Sequence, residues 1–117
     1  MKSWTGIAAM AALVVWSPAY GQQPEPTLMM VAQAQDRCMT TYAVRLSKET
    51  ADDEAIYERA EAGCSELDTK LDAAIQRDVP ADKQAELRAM LADTKKPNFM
   101  AMIAKIRSDR ASRAAND

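Results

Sequence analysis

The sequence contains no histidine, and that absence removes a good deal of chemistry. Histidine is the usual general base near neutral pH and the commonest ligand of transition metals. Hydrolases built on a Ser–His or Cys–His pair are excluded, and so are zinc sites that use histidine. Glycine is almost as scarce, with 3 in 117 residues and only Gly63 beyond residue 21. Aromatic residues make up 5%, and no run alternates β-branched or aromatic residues with polar ones, so strands lack their sequence signal. There is no Gly-rich phosphate loop, no Ser-x-x-Lys and no Gly-x-Ser-x-Gly, the patterns that position phosphates or activate a serine. A net charge of −2 is far from the basic balance of a nucleic-acid binder. The expectation is a protein that is not an enzyme, carries no cofactor and has no nucleic-acid partner.

What is present begins with a targeting signature. Residues 1–21 show the three parts of a secretory signal peptide. Lys2 supplies the positive end, and Ile7 to Trp16 (IAAMAALVVW) is an apolar run of ten residues. Ser17-Pro18 ends it, and Ala19-Tyr20-Gly21 offers small residues for cleavage after Gly21 or, in competition, after Ala19. The run is well short of the roughly 20 residues that span a bilayer, so no stable membrane anchor is expected after cleavage. Removal of residues 1–21 leaves 96 residues and takes away one basic side chain, moving the net charge to −3. The periplasm is the expected address, with release from the cell as the alternative. In an oxidising compartment the two cysteines are expected to pair.

The segment 22–27 (QQPEPT) holds two prolines and reads as an extended leader. Helical spacing dominates from there on, which predicts an all-α fold: a small four-helix domain over 28–107 with a disulfide-linked N-terminal helical hairpin. In 28–46, Leu28, Val31, Cys38, Tyr42 and Leu46 fall near one face. Thr50 and Asp53 resemble a capping box for a second helix running to about Arg77. Its inner face is Ile56, Ala60, Gly63/Cys64, Leu67, Leu71 and Ala74/Ile75. Val79-Pro80 starts a third helix over about 80–94, because proline is tolerated in a first turn. Lys95-Lys96-Pro97-Asn98 predicts a break before a fourth helix from Phe99. No large apolar residue follows Ile106, so 108–117 is expected to be an exposed, fraying end.

Cys38 and Cys64 lie about 13 Å and 18 Å from the hairpin turn at 1.5 Å per residue. The difference is about one helical turn, which a flexible connection absorbs, and both lie on apolar faces. Ala34, Ala60 and Gly63 remove bulk near that crossing. A redox-active pair lacks C-x-x-C spacing, and two cysteines without histidine make a poor metal site. A structural bridge is therefore expected.

Two further features offer surfaces. Glu54, Glu58, Glu61, Asp68 and Asp72 follow one another at helical spacing and draw an acidic stripe along the second helix, roughly opposite its apolar face. It reads as a solvated face or as a docking face for a basic partner. Residues 22–78 carry a net charge of −6 and residues 79–117 one of +3. The basic half is suited to packing across the acidic half, to pairing with a second copy of the chain, or to an anionic surface. Methionines at helical spacing read as adaptable core filler. Met-x-Met at 100–102 has the soft sulfur that copper(I) favours, but residues two apart on a helix point away from each other, and no metal site is expected.

In outline (exported, helical, about a hundred residues, two cysteines) the chain resembles the periplasmic acid-stress chaperones. The stretch Val79 to Leu87 (VPADKQAEL) is similar to the Leu-Thr-x-x-Gln helix starts of periplasmic stress and metal-resistance proteins, although it lacks the Leu-Thr pair. These resemblances imply a stress holdase, or a metal- or redox-handling envelope protein, as alternatives. The residues themselves favour a small non-enzymatic module that binds a protein partner of unknown identity.

Overall fold

The computed structural model describes residues 25–49 and 51–117; residues 1–21, read above as a signal peptide, the start of the segment 22–27 and Thr50 lie outside them. Among the described residues there are four helices and no strand: α1 (Leu28–Leu46), α2 (Asp53–Gly63), α3 (Ser65–Asp78) and α4 (Ala81–Asn116). The first starts where Thr27 caps it, its hydroxyl accepting from the Met30 N–H at 3.2 Å. For α2 the cap is Asp52, whose Oδ1 accepts from the Ala55 N–H at 2.8 Å. Asp52 therefore holds the N-cap position that the capping-box reading gives to Thr50, with Asp53 and Glu54 placed against the positive end of the helix dipole.

The long second helix read from the sequence is interrupted at one residue, Cys64, whose backbone has φ −107° and ψ 10°. Cys64 still donates to the Ala60 carbonyl at 2.9 Å and accepts from Leu67 and Asp68 at 3.0 and 3.2 Å, so α2 and α3 follow one another as a rod with a joint. Its partner is Cys38, with 6.1 Å between the Cα atoms. The disulfide thus ties the middle of α1 to that joint.

α1 lies antiparallel to this rod. Met39, Ala43 and Leu46 pack with Ile56, Ala60 and Cys64, and Phe99 and Ile103 of α4 complete the cluster. On the far side of the disulfide, Val31 packs with Leu71, Ala74 and Ile75, with Leu87 and Leu91 of α4 against them. The apolar interior is therefore two small clusters, one on each side of the cross-link.

The third and fourth helices expected from the sequence are a single helix. α4 runs through Pro97 without a break. Proline removes one helical N–H and crowds the carbonyl four residues earlier, but Pro97 and Asp93 both face solvent, so water can serve the released carbonyl. Phe99 and Ile103 beyond the proline are buried, which holds the distal half on the bundle. The tail is likewise helical, and it is engaged as far as Arg110. That guanidinium donates to Val44 O at 2.7 Å and Ser47 Oγ at 2.8 Å, meeting one carbonyl at the C-terminal end of α1 and the hydroxyl of its C-cap residue. Exposure without such contacts begins only after it.

Gly63 sits beside the disulfide with the Tyr42 phenol in the space a β-carbon would occupy, and Arg45 stacks on the Tyr42 ring at 4.9 Å. Close approach from α1, foreseen at this crossing, thus takes the form of a ring lying on the glycine. Gly63→Ala should gain little stability in the native chain, because the new methyl displaces Tyr42. In a Tyr42→Ala background the same change should stabilise by up to about 1 kcal/mol, the ordinary helix preference for alanine. Urea unfolding of the four variants reads the difference. Reduction of the disulfide, or replacement of both cysteines by alanine, should lower stability by about 3–4 kcal/mol, seen in the same assay with and without reductant.

Candidate functional site

The acidic stripe is covered by the chain's own basic half. Lys96 pairs with Glu54 at 2.7 Å, Lys95 with Glu61 at 2.8 Å and Asp68 at 3.0 Å, and Arg88 with Asp72 at 2.7 Å. Arg107 adds Asp53 at 2.9 Å. Of the five stripe residues only Glu58 is exposed without an ion pair to a described residue. The two rows meet because Glu54, Glu61, Asp68 and Asp72 recur at helical spacing on one side, and Arg88, Lys95 and Lys96 do so on α4.

Lys95 is the centre of this arrangement. Its side chain is 25% exposed, and the Glu61 and Asp68 side chains are each 34% exposed. Its ammonium reaches Glu61 Oε1 and both oxygens of Asp68, the latter at 3.0 and 3.1 Å. Tyr57 donates its phenol to Glu61 Oε1 at 2.6 Å, and the Gln35 amide of α1 donates to Asp68 Oδ1. Tyr57 also meets Phe99 edge-on at 5.3 Å. The result is a polar layer, Tyr57–Glu61–Lys95–Asp68–Gln35, lying between the two apolar clusters at the level of the disulfide.

The layer fixes its own protonation. Burial works against charge on Glu61, but hydrogen bonds from Lys95 and Tyr57 and the Lys95 charge outweigh it and hold the carboxyl below the ordinary carboxylate range. Burial likewise opposes the Lys95 charge, and hydrogen bonds to Glu61 and Asp68 overcome it, raising the ammonium. Tyr57 is raised well above an ordinary phenol by burial, by its hydrogen bond to Glu61 and by the surrounding carboxylates.

Above the layer α1 and α4 stand apart, leaving an open groove of about 820 Å³. Met39 and Ala32 of α1 face Leu91, Ala92, Phe99 and Met102 of α4, with Leu71 and the polar layer beneath. The Thr40 hydroxyl donates to Met102 Sδ at 3.3 Å across the gap. Sequence reading did not single out Tyr57, Asp36 or Lys95 as site residues. The usable signal for Lys95 is the matched seven-residue spacing of opposite charges in the two halves. No group of three or more carboxylate or cysteine ligands suited to a metal occurs among the described residues.

The geometry defines an all-α, disulfide-stapled chain with a groove along its waist. The chain matches no family model, no curated protein and no solved structure in comparisons with each.

Removing the shared cation tests the layer. Lys95→Met leaves Glu61 and Asp68 facing each other without a counter-charge and should cost about 1–3 kcal/mol, a range that allows for their partial exposure. The pH dependence follows from the signs. The Glu61 contribution is complete above the ordinary glutamate value and is lost as pH falls through its lowered folded value. The Lys95 contribution is complete below the ordinary lysine value and is lost as pH rises through its raised folded value. Melting temperatures recorded from acid to alkali should fall off at both ends in the native chain, with both slopes flatter in Lys95→Met.

Proposed function

We propose that this protein is an exported, non-enzymatic binding protein that works through the groove between α1 and α4. The observation that carries the reading is the groove itself: apolar walls from two helices over a floor of polar groups fixed by their mutual hydrogen bonds. Ligand sites have this character, concave and mostly apolar with a few oriented polar groups, and volumes of roughly 300–1,000 Å³. Export is supported by the disulfide, which persists in oxidising compartments, and by the signal-like residues 1–21. Among the described residues no helix is long and apolar enough to cross a membrane.

The protonation of the floor supports binding over catalysis. A general acid or base works best with a pKa near the operating pH. Glu61 is moved away from neutrality downward, and Tyr57 and Lys95 upward. Each is steadied in one charge state, which suits electrostatic recognition and disfavours proton transfer.

Ala92 lines the groove and is exposed, so Ala92→Trp fills the groove without entering the core. The native chain and this variant, each purified under native conditions from the producing organism, should differ in what they retain by mass spectrometry. A molecule or chain held by the native form and lost from Ala92→Trp is expected. Equal retention, or none by either, overturns the proposal.

A further inference from the structure

The donors and acceptors lining the groove are unevenly spent. Lys95 directs its ammonium at Glu61 Oε1 and the two Asp68 oxygens, and an ammonium has three protons to give. The single hydroxyl proton of Tyr57 goes to Glu61 Oε1, that of Thr94 to Met90 O at 2.9 Å, and that of Thr40 to Met102 Sδ. The charged donor and the hydroxyls are therefore committed to protein acceptors, and the donors left over are neutral amide groups, those of Asn98 and the second N–H of Gln35. Acceptors are left over: the second oxygen of Glu61 and the carboxylate of Asp36 take no hydrogen bond or ion pair from a described residue. Formal charge agrees, because Asp36, Glu61 and Asp68 line the groove against Lys95 alone, leaving it two negative charges in excess.

We infer that the groove selects a cation-headed apolar ligand: a primary ammonium held by Glu61 and Asp36, with a hydrocarbon body along the walls. This rests on the groove being a binding site and names the chemistry it takes. An anionic head finds no uncommitted cation there and meets like charge. A neutral apolar body satisfies the walls and leaves the carboxylate acceptors to water. Only a ligand that brings donors and positive charge matches walls and floor together.

The test uses the full protein purified from its producing organism with the disulfide intact, titrated by calorimetry at low salt. The probes are n-decylammonium and n-decanoate, each below its micelle concentration. Decylammonium is expected to bind at least tenfold more tightly, with the difference shrinking as salt rises. Asp36 is exposed on α1, and Asp36→Asn removes no ion pair with a described residue. With folding verified by circular dichroism, this variant should weaken decylammonium about fivefold, and Ala92→Trp should abolish binding. Equal affinity for the two probes overturns the inference while leaving a binding groove in place. Absence of binding by both also overturns it, and the retention experiment with Ala92→Trp then decides the wider reading separately. Undiminished binding to Ala92→Trp places the ammonium elsewhere and overturns it as well.

Discussion

The Cys38–Cys64 bridge is the constraint around which the rest is arranged. A chain of this size has little interior to work with, and here that interior is divided. Leu46, Ile56 and Ile103 belong to one cluster, and Val31, Leu71 and Ile75 to the other. The disulfide joins α1 to the α2–α3 joint where apolar packing gives way to the polar layer. Cross-linking at that level closes a loop of the unfolded chain between helices that pack on each other on both sides of the bridge. The one residue between α2 and α3, Cys64, and the ring of Tyr42 lying on Gly63 are local consequences of bringing two helices together at that point.

The second organising feature is the match of charges between α4 and the rod it covers. Pairs such as Lys96–Glu54 and Arg88–Asp72 are exposed, and each is worth a fraction of a kcal/mol. Their value lies in register, because they occur along one line and fit only one alignment of α4. Lys95 differs from them. It is shared by two carboxylates, is sheltered by the helices on either side, and with Gln35 and Tyr57 forms a place where polar groups of all three rods converge.

The bounds of α1 were legible because the proline-containing leader ends at Thr27 and apolar positions recur at helical spacing from Leu28 to Leu46. The disulfide was legible because both cysteines fall on apolar faces at comparable distances from one turn. Pro97 misleads for a physical reason: local rules weigh the lost N–H, whereas the anchors that hold the helix together, Phe99 and Ile103 on one side and Lys95 on the other, are tertiary. The tail misleads similarly, since Arg110 attaches to the Val44 carbonyl and the Ser47 hydroxyl, more than sixty residues away. The acidic stripe was visible as a pattern, and the basic half was one of the occupants that the charge division offered, but the individual pairs were not legible. A helix face with no apolar residue looks solvated until a complementary face of the same chain is laid against it.

The groove follows from the same division of the core. At the level of the polar layer α1 and α4 present Ala32 and Ala92 where larger side chains would have closed the gap. The walls therefore stay apart directly above the one layer whose groups are already hydrogen-bonded to each other. Met39 and Met102 beside the gap are unbranched and rearrange at little cost, which suits apolar bodies of varied shape. The floor has no such freedom, because Tyr57, Lys95 and Gln35 each hold a carboxylate in place. A site with adaptable walls and a fixed acceptor-rich floor discriminates by charge before it discriminates by shape. That division of labour links the staple, the half-buried Lys95 and the proposed ligand in a single arrangement.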